Sequence, residues 1–397
     1  MSWRCYLGDT TTGLIDRPID LPSFSWSVDV GDSSLSTNSD KGAGTDSWSS
    51  ITVPWTAIME DTPEGRSSAL ATMRRCIILF WTDDDNEMGT PILWGAIGDR
   101  TDSWVDTSFS LSSMMSLLED RYVCEEGVYG AGDGGTTTGT IRFENMSYRG
   151  IMCNDIYLCT SKKPGGALPL DLPYLNESGT RAREYSEYDI QNNSCATLIE
   201  NLTNVTNGPD VQFIPYMSDS QHVRVRFEAG SDDEVYLGQN TIHTLTSFPG
   251  GGTIHELSIE HASPVMRVYA AGSGDDEAQL CYLAEDLTLT EQGDPWPLIE
   301  TVYSDSDTST LSVLQSHAEA QLEANSRPLM QITGEVDFDD PRVPAPGTFW
   351  PGHLVDLAID GFPTLPDGTY RCRLMEMSGD QTSVAKLTFD VMEDPLY

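Results

Sequence analysis

Basic residues are what this chain has least of. Only four of 397 residues are lysine (Lys41, Lys162, Lys163 and Lys386), and Lys plus Arg number 22 against 62 Asp plus Glu, a net charge of −40. A tight reader of nucleic-acid backbone needs clustered Lys and Arg to displace counterions, so this balance argues against one. Long apolar runs are missing as well. Cys76–Trp81 is among the longest, far short of the ~18 residues that a membrane span requires. The opening Met1-Ser-Trp-Arg-Cys-Tyr lacks a charged stretch followed by an apolar one, so no secretion signal is expected. The eight cysteines include no C-x-x-C, which in an unsecreted chain favours reduced thiols packed as small hydrophobes. For the same reason the Asn-x-Ser/Thr triplets at Asn145, Asn176, Asn192, Asn201 and Asn204 carry little meaning.

Catalytic signatures are absent too. His255-Glu-Leu-Ser-Ile-Glu-His261 resembles a zinc motif, but a helical zinc site needs histidines four apart. Six apart is about 240° round a helix and about 20 Å along a strand. Alternation of Ile254, Leu257 and Ile259 favours a strand with exposed His and Glu. Cys153 and Cys159 would also lie about 20 Å apart in a strand, so a shared metal would need a turn at Asn154-Asp155. His222, His243, His317 and His353 have no local partner and read as structural. Asp83-Asp-Asp85 and Ser231-Asp-Asp-Glu234 lack EF-hand spacing and read as solvated turns. The Gly-rich stretch ending at Gly139 has no Gly-Lys-Ser/Thr and reads as a surface loop. No G-x-S-x-G occurs, and nothing marks a pair among the 62 acids as glycosidase carboxylates. Trp48, Trp55, Trp296 and Trp350 suit core or interface anchors better than sugar platforms. The expectation is therefore no catalytic residue, no metal and no cofactor.

What is present is a series of short strands divided by turn signals, the mark of a sandwich or barrel. Cys76–Trp81 and Pro91–Ile97 form a hairpin round an acidic turn. Leu111, Met114, Met115, Leu118 and Tyr122 then share a helical face. Thr12-Gly13 makes a turn, and Gly31–Ser50 is a long exposed loop. Strands are expected at Phe24–Val30, Ile51–Trp55, Ile141–Phe143 and Gly150–Thr160, with a Pro/Gly linker over Lys162–Pro173. A second helix spans Glu187–Asn201. A β-meander follows through Val211–Ile214, His222–Phe227, Glu234–Leu237, Thr253–Glu260, Val265–Ala270 and Gln279–Thr290. A third helix, capped by Asp307 or Thr308, carries Leu311, Leu314, Ala318 and Leu322. Tyr370–Met377 and Val384–Val391 close the chain as a hairpin echoing Cys76–Ile97. The class is mainly β (α+β): a barrel-like domain over 1–106, an α+β middle over 107–327, and a barrel-like domain over 328–397 that borrows strands from 211–259.

The layout resembles the minor tail proteins of long-tailed phages, in particular those infecting actinobacteria. Trp3–Asp9 with Thr12-Gly13, Phe24–Asp29, Thr52–Trp55, Pro91–Ile97 and the Ser113–Val123 helix carry the likeness in the first part. Thr197–Leu202, Val223–Phe227, Pro297–Glu300 through Pro328, and Pro351–Asp356 carry it further on. The family reads Gly-Asp where Gly352-His353 stands here. The resemblance implies a non-enzymatic tail-tip protein of the virion, a baseplate hub. Such hubs are trimers with two similar β-barrels per subunit, so three chains make a pseudo-sixfold ring continuing the tail tube. Its implied neighbours are the tail tube protein, the distal tail protein, the tape measure protein and other tail-tip or fibre proteins. Genomic DNA would pass through without specific binding. Solubility, or a salty or acidic host, is the first reading of the acidity, and a conduit wall that repels a passing polyanion is the second. A distal-tail or receptor-binding protein holding host-wall glycan is the alternative, and a secreted or halophilic hydrolase is a third.

Overall fold

A computed structural model of the chain describes residues 2–21, 23–31, 33–36, 50–82, 88–124, 139–205, 208–274, 279–306, 308–326 and 330–392. The fold is mainly β, 45% strand against 18% helix. Its axis is the strand Arg75–Thr82, buried at every position after the first. Side chains of a strand alternate between faces, and here each face has its own core. Ile77, Leu79 and Trp81 enter one, while Cys76, Ile78 and Phe80 enter the other. An unbroken apolar run is what such a doubly covered strand requires. It lies near the middle of a six-stranded sheet in the order Ile15–Ile19, Ser2–Asp9, Arg75–Thr82, Thr90–Asp102, Asp106–Ser112, Ser50–Pro54.

The first core lies between this sheet and a second, nine-stranded one. Its main path runs Gly251–Gly252, Ile242–Phe248, Leu354–Ile359, Gly368–Asp380, Val384–Val391, Met330–Asp337, His255–His261. Ser25–Asp29 and Ser33–Ser36, from the start of the chain, join it alongside Gly368–Asp380. Aromatic rings bind the two sheets: Trp3 lies 4.7 Å from both Trp26 and Trp81, and Trp81 lies 5.5 Å from Phe338. The Trp3 indole donates to the Thr382 carbonyl at 2.9 Å, so the first strand is fastened to the last hairpin. That hairpin pairs Gly368–Asp380 with Val384–Val391, as the alternation predicts. The two hairpins thus occupy different sheets, packed over one core.

The second core holds three of the described helices. Helices α1 (Pro63–Ala69), α2 (Met114–Glu119), α3 (Tyr148–Cys159), α4 (Cys195–Thr203) and α5 (Leu311–Asn325) follow in chain order. Helices α2, α3 and α4 cover the back of the six-stranded sheet with the antiparallel strands Val211–Met217 and Val223–Ala229. At Gly13 the first turn meets the second of these strands. Its φ is +73°, and an added Cβ would sit 1.9 Å from the Val223 carbonyl, so only glycine fits.

Several local expectations are corrected. Gly150–Thr160 is helix α3, not a strand. Ser147 caps it by accepting from the Gly150 amide at 3.0 Å, and burial on nearly all sides removes the polar stripe that reveals a helix. The Glu187–Asn201 helix is two pieces: a 3₁₀ segment Glu187–Asn192, and α4 after a break at Asn193-Ser194. Helix α2 is shorter than expected because Leu111 belongs to the strand Asp106–Ser112 and Ser113 caps the helix, which begins at Met114. Helix α5 begins after Thr310; the Thr308 amide and hydroxyl instead bond Asp305, while Asp307 lies outside the described residues. Glu234–Leu237 is no strand, since the Val235 carbonyl and the Leu237 amide both bond Asp210. The meander therefore stops after two strands, and Ile242–Phe248 and His255–His261 cross into the nine-stranded sheet.

The remaining unit is small. Arg267–Ala271 pairs antiparallel with Cys281–Glu285 and parallel with Glu300–Ser304, and α5 packs on one face. Val268, Ala270, Ala284, Leu314 and Ala318 form its core.

Candidate functional site

The structure scatters the residues that attract attention in the sequence. His255 and His261 stand exposed at opposite ends of one strand, opposite Glu335 and Met330. Cys153 and Cys159 lie within α3, both buried. Burial pushes the Cys5, Cys153 and Cys372 thiols up to about 12 and raises Cys76 and Cys195 as well, the reverse of what a nucleophilic thiol needs. Among the described residues no group of three His, Cys, Asp or Glu could hold a metal ion. Asp83–Asp85, the Gly-rich stretch before Gly139 and Trp48 lie outside the described residues. Ser231–Glu234 is a turn closed by its own hydrogen bonds, with Asp232 engaged by the Tyr148 amide and Arg181.

The other histidines have partners too: His222, expected to have no local partner, has one three residues away, and the partners of His243, His317 and His353 lie further off in sequence. The His222 imidazole bonds Asp219 at 2.9 Å, and His317 is buried against the Tyr303 hydroxyl at 3.1 Å. Trp55 is held by its indole N–H to the Ser103 carbonyl, Trp296 is half-buried, and Trp350 is buried. Trp104, unremarked in the sequence, is wholly exposed at the tip of the hairpin between Thr90–Asp102 and Asp106–Ser112.

A polar seam lies where the nine-stranded sheet meets the strands Val211–Met217 and Val223–Ala229. A cavity of about 300 Å³ lies there, its wall including Gln212, Arg226, Glu228, Trp350 and His353. Gln212 donates to the Pro351 carbonyl at 2.9 Å. Arg373, buried, pairs with Asp210, and its guanidinium lies 5.0 Å from the Tyr236 ring. His243 and His353 meet ring to ring, with centroids 5.3 Å apart and planes 17° from parallel. Their Nε2 and Nδ1 atoms are 3.2 Å apart, and the Phe349 ring packs edge-on to His243. Burial, then the neighbouring His243, lowers His353 to about 4, and burial lowers His243. Both rings are therefore neutral at pH 7. This is chemistry for joining two layers: the groups converge on one another, and no carboxylate or thiol is paired with the imidazoles as a base or nucleophile would be.

Buried Asp155 on α3 is a second feature that sequence reading passed over. It accepts from the Tyr185 hydroxyl at 3.1 Å, and burial raises both groups well above their ordinary values. Neither site left a local signal, because the partners lie 110 and 30 residues apart.

No family model matches the sequence, and no curated protein is similar to it at a meaningful level. Solved structures are similar over the whole length. The tail protein from Neisseria meningitidis MC58 is 12% identical with a TM-score of 0.50, covering 100% of this chain and 98% of its own. The prophage MuSo2 43 kDa tail protein from Shewanella oneidensis is 8% identical with a TM-score of 0.51, covering 98% of each chain. The fold is thus that of phage tail proteins.

Proposed function

We propose that this chain is a structural component of a phage tail tip, a baseplate hub of the kind found in long-tailed phages of actinobacteria. The observation that carries the reading is likeness from end to end, with 98–100% of each chain matched to two tail proteins, one of them from a prophage. Doubly covered strands, buried thiols and a polar seam turned in on itself support a role resting on shape. Three copies would form a pseudo-sixfold ring continuing the tail tube and touching the distal tail, tube and tape measure proteins. The net charge of −40 would let DNA slide through without being held. Antibody labelling of assembled particles tests the location. Label at the tail tip is expected; label on the capsid, or none on intact particles, refutes it. In an assembled ring the bore should carry negative potential, and a neutral or basic bore would remove the proposed use of the acidity.

A further inference from the structure

We propose that the His243–His353 pair is an acid-released latch, closing the seam cavity at neutral pH and opening its His353 wall when protonated. The inference does not depend on the tail-tip reading. His353 directly precedes the strand Leu354–Ile359, which runs parallel to Ile242–Phe248 from the pair Ile242 and Leu354 onward. The two rings therefore sit where this parallel ladder begins, and His353 shares the cavity wall with Arg226, Glu228 and Trp350. The Leu354 amide donates to the Thr241 carbonyl at 3.0 Å, so the first rung of the ladder adjoins the rings.

Two neutral imidazoles 3.2 Å apart share one hydrogen bond, one ring donating and the other accepting. A first proton strengthens that bond but places a cation in a half-buried site. A second proton leaves two N–H donors facing each other, and the contact must break. The charged groups around the pair offer no relief. On Val223–Ala229, Glu228 already pairs with Arg226 at 2.5 Å and accepts from the Tyr174 hydroxyl. On Gly368–Asp380, Arg373 is held by Asp210, which also accepts from the Leu237 amide. On Leu354–Ile359, Asp356 is bonded to Arg371. The strand Ile242–Phe248 has no charged residue besides His243 itself.

The sign follows from linkage. An exposed or unfolded histidine titrates near ~6.5, above the value of about 4 at His353. The open state therefore takes up protons first as pH falls. The latch's contribution is complete above the unfolded value and is lost between there and about 4.

The test uses the full chain and reads the two imidazole resonances by NMR together with the protection factor of the Leu354 amide. His353 should titrate near 4, and Leu354 protection should fall by up to about tenfold per pH unit across that window. In the double variant His243→Gln, His353→Gln, whose side chains hydrogen-bond without titrating, that fall should disappear while general acid unfolding remains. Should the double variant fail to fold, His243→Gln alone and the wild-type titration decide. A His353 resonance titrating at the free value, or identical Leu354 profiles in wild type and variant, would overturn the proposal.

Discussion

The central body and the small unit round Arg267–Ala271 are built on opposite principles. In the body, Arg75–Thr82 has a core on each face, and strands from both ends of the chain close over it. In the small unit one sheet face is covered by α5, while the other presents Tyr269, Leu283 and Val302 in one cross-strand row. Val302 is 71% exposed, whereas Leu79 on the central strand is fully buried. Hydrophobic stabilisation scales with the apolar area removed from water, so the body should unfold last and as one unit, the small unit first and alone.

The comparison can be broken most forcefully at the body. Asp210→Ala would strand the buried Arg373 charge and should cost about 3–5 kcal/mol in denaturant unfolding; a loss below 1 kcal/mol would mean that the pair is effectively solvated. Leu79→Ala should cost about 2–5 kcal/mol and lower the main melting transition. Leu314→Ala removes a fully buried side chain from the small core. It should cost about 2 kcal/mol or more, yet appear as faster amide exchange confined to 267–325 with the main transition unmoved. A shift of the main transition would show that the two regions are one cooperative unit. Ser147→Ala deletes the cap of α3 and should cost about 1 kcal/mol. Val302→Ser on the open face should change stability by less than about 0.5 kcal/mol in the isolated chain.

The same contrast explains what was legible in the sequence. Cys76–Trp81 announces a strand because its run is too short for a buried helix and ends in turn residues. The closing hairpin shows itself by alternation, as in Tyr370, Cys372 and Leu374, all turned inward. Helix α3 does not, because Ile151, Met152, Cys153 and Ile156 are buried on several sides and leave no periodic polar face. The crossing of Ile242–Phe248 and Ser25–Asp29 into the nine-stranded sheet is set by packing over a shared core, which no local pattern records. The seam was hidden for the same reason. His243 and His353 acquire a role only when the fold brings them together, as do Asp210 and Arg373.

The claim on which the account rests is that copies of this chain assemble round a passage. Light scattering of the purified chain, with negative-stain images of the same sample, tests it most directly. The predicted result is three times the 43.6 kDa chain mass, in rings with an open centre. A mass of one chain at every concentration, with no ring in the images, would contradict it.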